Sequence, residues 1–134
     1  MDIMCQICQI LDRGVPDTED FESSKADKCE EIESLIEVNG WEVIQSALVE
    51  MLKDVNLNID DFDVVAQVFW GAVLDKRIID INKVIALLYL RLPDGSDLEN
   101  LIWSITERLK GVGYLSDYEP LVDPDIIKEM NKYK

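Results

Sequence analysis

Apolar residues recur along this chain at intervals of three and four, and no stretch alternates apolar and polar side chains for long enough to make a half-buried strand. That periodicity restricts the fold to all-α. Ile3, Met4, Ile7, Cys8 and Leu11 trace a short first helix, closed by Gly14 and Pro16. Cys29, Ile32, Leu35 and Ile36 mark a second, which ends near Asn39 and Gly40. Trp41, Ile44, Ala47, Leu48, Met51 and Leu52 form one face of a third, running out in the polar segment 54–58. Residues 61–74 and 81–92 are apolar on nearly all sides, as helices at the centre of a bundle are. The β-branched content of 84–90 also suits a strand, but Asp80 as a candidate cap and the length of the segment favour helix.

Towards the C-terminus, Ser96 and Glu99 have the spacing of a capping box, which starts a helix carrying Leu98, Leu101, Ile102, Ile105 and Leu109 inward and ending at Gly111. A tyrosine-containing loop spans 112–122. Asp123 as cap, Pro124 at the first helical position and Asp125 beside the positive end of the dipole then open a last helix. The expectation is one all-α domain over residues 1–134 with six or seven helices. Short connections predict antiparallel neighbours, in a compact bundle or a stack of helical hairpins. No sequence repeat recurs at a fixed period.

Charge narrows the function more than the fold does. The 134 residues hold 28 acids and 13 bases, a net of −15, which is the wrong sign for a nucleic-acid binder and predicts a basic partner. The excess is local. Residues 12–63 hold 16 acids and 4 bases, a net of −12, whereas 64–134 are nearly balanced, with 11 acids and 9 bases. At about 100° per residue, Asp27, Glu30, Glu31, Glu33 and Glu37 fall opposite Cys29, Ile32 and Ile36, with only Lys25 and Lys28 to offset them. Like charges three and four apart cost a helix roughly 0.2–0.5 kcal/mol per pair, and a solvated, solubilising face is the plainer use of such a run. A docking face is the other, and the acidic connector 17–22 extends it with Asp17, Glu19, Asp20 and Glu22.

The absence of His removes Ser-His-Asp and Cys-His catalysis and the common zinc-enzyme ligand sets. Cys5 and Cys8 have the C-x-x-C spacing, but they sit on an apolar stripe with Cys29 as the one further Cys, and read as core thiols. Asp54, Asn56, Asn58 and Asp60 open like a calcium loop, which then has Ile59 where the turn needs Gly and Val65 where a bidentate Glu belongs. Glu30 and Glu33, with Glu50, approach the helix-borne carboxylates of an all-α nucleotide pyrophosphohydrolase, but Lys53 stands where the next acid is needed. No catalytic residue, metal or cofactor is therefore expected. Tyr114 and Tyr118 are candidate interface aromatics, and equally able to pack the last helix onto the bundle.

Three Cys make no complete disulfide set, the N-terminus has no basic signal region, and the longest apolar run, 84–90, is too short to span a membrane. These features predict a cytoplasmic chain with no membrane partner. In size, acidity and helical content it resembles the immunity proteins of bacterial polymorphic toxin systems, those of contact-dependent growth inhibition in particular. The resemblance implies a non-enzymatic role, in which a basic toxin domain, often a nuclease, is bound and its active or substrate-binding site blocked. The competing expectation is a helical adaptor or regulator that takes a cellular protein into an apolar groove.

Overall fold

The computed structural model describes residues 2–12, 21–75, 78–115, 119 and 122–134, with the backbone alone for Phe21 and Glu22. Seven helices occupy the described residues, which contain no strand: α1 Ile3–Leu11, α2 Phe21–Asn39, α3 Trp41–Leu52, α4 Ile59–Asp75, α5 Ile81–Arg91, α6 Leu98–Gly111 and α7 Pro124–Tyr133. The ambiguous 84–90 segment is helical. The second helix begins at Phe21, so the last two residues of the expected connector belong to α2. Gly14 and Pro16 lie outside the described residues.

Helix ends follow local chemistry, though not always the chemistry expected. The Asp2 carboxylate accepts the Cys5 N–H at 2.9 Å and starts α1; Asp123 accepts the Asp125 N–H at 2.9 Å, with Pro124 at the first helical position of α7. Gly40, at φ 90°, turns the chain directly from α2 into α3 in a backbone region that an L side chain strains to enter. Asp80 corrects one expectation: it occupies the left-handed region (φ 53°, ψ 56°) and makes no side-chain cap to α5. Ser96 corrects another. Its hydroxyl accepts the Leu98 N–H at 3.0 Å, two residues on, rather than that of Glu99, which is exposed. A side-chain cap forms instead at α4, where the Asn58 side-chain oxygen accepts the Asp61 N–H at 2.8 Å and the Asn58 side-chain amide donates to the Asp61 carboxylate at 3.2 Å.

Consecutive helices are not the main packing partners. α5 packs most extensively on α7 and α4 on α6, with further contacts of α2 on α4, α3 on α5 and α1 on α3. The odd-numbered helices thus form one row and the even-numbered helices another, joined by α1 on α2, α2 on α3 and α5 on α6. One hydrophobic cluster takes residues from all seven, among them Ile7, Ile32, Ile44, Phe62, Ile85, Ile102 and Ile126. The two nearly all-apolar helices hold the positions their composition requires, with Phe62, Val65, Phe69 and Val84 to Leu88 almost fully buried. The Trp41 ring meets Phe69 edge-on, with 5.8 Å between centroids and 85° between planes.

Candidate functional site

The acidic surface is built on α2. Every fourth residue, Ser24, Lys28, Ile32 and Ile36, is buried, and Lys25 and Cys29 flank that line in half-buried positions. Both lysines therefore point away from the carboxylates they were expected to offset. Lys25 Nζ lies 3.1 Å from an oxygen of Asp63, a buried acid of α4, and Lys28 Nζ donates at 3.1 Å to the carbonyl of Leu11, the last residue of α1. On the opposite arc Ser23, Asp27, Glu30, Ser34 and Glu37 are exposed, and no base stands among them. The outer face of α2 is more uniformly anionic than its composition.

The flanks behave differently from the crest. Glu31 and Glu33 are half-buried, Glu31 towards α1 and Glu33 towards α4, where its Oε1 would lie 3.6 Å from a Cβ built on Gly71. Glu33 was expected in solvent beside Glu30 and Glu37; it lies across α4 instead. Glu22 has its backbone in α2, and Asp17, Glu19 and Asp20 lie outside the described residues. Beneath this face the Cys29 thiol is pushed up to about 11, chiefly by burial and then by the nearby Asp63 carboxylate.

The candidate chemistries do not come together. Glu50 is engaged by Lys53 at 2.7 Å, and among the described residues no three potential metal ligands converge. The would-be calcium ligands fold back on their own backbone: Asp54 accepts the Asn56 N–H at 2.9 Å, and Asn58 caps α4. Cys5 departs from the expected core thiol. It is exposed, with Sγ 3.4 Å from Asp2, and the neighbouring carboxylate raises its pKa through that hydrogen bond. Cys8 and Cys29 are half-buried. Tyr114 is exposed, and Tyr118 is outside the described residues.

One feature escaped the sequence reading, a groove of about 820 Å³ bordered by α3, α5 and α7. Next to it lies Gln45, a buried polar residue of α3 that holds one segment of its lining. The Gln45 amide donates to the Ile79 carbonyl at 2.5 Å and its oxygen accepts the Ile79 N–H at 3.0 Å, which holds the strained turn at Asp80 in place. Glu42, Lys83, Glu129 and Lys132 line the groove, so its charge is mixed, unlike the outer face of α2.

No family model matches the chain, and no curated protein or solved structure matches it either. No helix of the described residues is long and apolar enough to cross a membrane.

Proposed function

We propose that this protein neutralises a basic protein, in its most concrete form a toxin nuclease domain, by covering the cationic surface with which that partner holds phosphates. The single observation that carries the reading is the inward turn of Lys25 and Lys28, which leaves Asp27, Glu30 and Glu37 exposed on one arc with no cation among them. Such an arc produces a directional field that speeds encounter with a cationic partner and repels nucleic acid. Its carboxylates occupy the places that substrate phosphates would take on the nuclease, so occlusion requires no chemistry from this chain.

The test begins with affinity capture of the partner from the native host and continues with association rates for the purified pair. Asp27→Lys, Glu30→Lys and Glu37→Lys together are expected to weaken binding by at least about tenfold and leave the helical signal intact, since all three side chains are exposed. Association of the parent should slow from low to physiological salt, as charges are screened over about 8–10 Å. Undiminished binding by the triple variant would transfer the role to the second reading, a helical adaptor. The groove between α3, α5 and α7 would offer such an adaptor a site, with a mixed-charge lining in place of the apolar one expected.

A further inference from the structure

Asn39 before Gly40 and Asp94 before Gly95 are the two places in the chain where an Asn or Asp is followed by Gly. At such a pair no side chain shields the Gly nitrogen, which can attack the side-chain carbonyl carbon beside it. A bond forms between that nitrogen and Cγ, closing a five-membered succinimide, and ammonia leaves from Asn or water from Asp. Water then opens the ring at either carbonyl. The products are Asp and isoaspartate, whose main chain runs through the side-chain carboxyl and is longer by a methylene. No oxidant or cofactor takes part. In an open chain the Asn pair reacts first, because an ionised carboxylate is the poorer electrophile.

We infer that the fold reverses this order: Asp94 is the site of spontaneous isoaspartate formation in the folded protein, and Asn39 is held against it. Asn39 is the half-buried last residue of α2, and its side-chain amide donates to the Leu35 carbonyl at 3.0 Å. The Gly40 N–H, the nucleophile of the reaction, donates to the Ile36 carbonyl at 2.8 Å. Both bonds must open before the ring can close. Neither restraint exists at Asp94. Its carboxylate is exposed and accepts no hydrogen bond, and the Gly95 N–H has no acceptor among the described residues. The pair occupies a β-turn, closed by the Ser96 N–H on the Pro93 carbonyl at 3.3 Å, with Gly95 at φ 70° and open space around it. The two reactions also have different consequences. A carboxylate at position 39 would face the Leu35 carbonyl at the negative end of the α2 dipole, two residues from Glu37, so the protection preserves the helix that carries the acidic arc. Isoaspartate at 94 leaves the charge unchanged and lengthens the connection between α5 and α6, which shifts Ser96 from the Leu98 N–H that its hydroxyl accepts.

The experiment ages the full chain at neutral pH and physiological temperature, folded in buffer and unfolded in concentrated guanidinium chloride. Mass spectrometry of the digested samples reads deamidation as a gain in mass, and electron-transfer fragmentation separates isoaspartate from aspartate. In the unfolded chain Asn39 should convert before Asp94. In the folded chain isoaspartate should accumulate at 94, while loss of Asn39 is slowed at least about tenfold because two hydrogen bonds must open first. Asp94→Glu, whose longer side chain does not close the five-membered ring, should abolish the signal at 94 and leave the unfolded-state rate of Asn39 unchanged. This variant keeps the charge at an exposed, unbonded position, so it folds as the parent does. Loss of Asn39 as fast in the folded as in the unfolded chain would overturn the protection. A folded sample still free of isoaspartate at 94 when half of Asp94 has converted in the unfolded sample would overturn the site.

Discussion

Helices α2 and α4 pack against each other, yet they bury different kinds of side chain. α4 contributes Phe62, Val65, Ala66, Val68 and Phe69, so its place at the centre follows from having hardly a polar face to offer solvent. α2 buries Ile32 and Ile36 along with Ser24 and Lys28, and Lys25 reaches across to the one acid buried in α4, Asp63. The two helices meet through apolar contact at one level and an ion pair at another. Burying charge is rarely the most stable choice, since desolvation offsets much of the attraction. Here it has a visible consequence, because each lysine drawn inward leaves the outside of α2 more negative.

That comparison can be broken first at its apolar side. Phe69→Ala in α4 should cost about 4 kcal/mol, through the cavity it opens and the loss of the edge-on contact with Trp41, measured by urea denaturation. A loss under about 1 kcal/mol would mean that α4 is not the centre of the core.

The ionic side comes next. Asp63→Ala removes the carboxylate that lies 3.1 Å from the largely buried Lys25 ammonium and should cost about 2 kcal/mol, whereas Lys25→Met with Asp63→Leu should recover most of that loss. If the double variant were no better than the single, the pair would be stabilising in its own right and the contrast between the helices would narrow.

Beneath the pair, Cys29 allows a test by pH. Its thiol, normally near 9, ionises only at about 11 in the folded chain, so between those values the folded state holds a proton that the unfolded state releases. This contribution is fully present below pH 9 and is lost as pH rises towards 11, by about 1–2 kcal/mol once partial exposure is allowed for. Urea midpoints at pH 8 and 10.5 should therefore fall further apart in the parent than in Cys29→Ala. Equal differences would place the thiol in solvent.

The smallest effect belongs to the outer face. Reversing Glu30 and Glu37 to Lys should raise stability at low salt by about 0.5 kcal/mol, as repulsion along the helix is relieved, and the gain should vanish at about 1 M salt. A measurable loss instead would mean that these carboxylates hold contacts within the fold.

Much of this was legible in the residue order. The stripes of α1 and α3, the apolar saturation of α4 and α5, and Asp123 followed by Pro124 are local statements, and local hydrogen bonding and periodicity realise them. The caps show the limit of such reading. The spacing of Ser96 and Glu99 promised a reciprocal cap that did not form, and Asn58 capped α4 instead, in a segment that resembled a calcium loop. Spacing alone does not decide between an oxygen that binds a ligand and one that satisfies its own backbone.

The sequence by itself determined that this chain is helical, that residues 61–74 and 81–92 must be covered, and that its negative charge is concentrated in the N-terminal half. Tertiary structure alone decided that alternate helices pack into rows, that Gln45 holds a left-handed turn at Asp80, that Glu33 leaves the acidic arc for α4, and that both lysines of α2 turn inward. The reason is physical. A hydrophobic period specifies which side of a helix avoids water, but a lysine at the border of that side goes inward only if a distant acceptor, here Asp63 or the Leu11 carbonyl, is brought within about 3 Å of it.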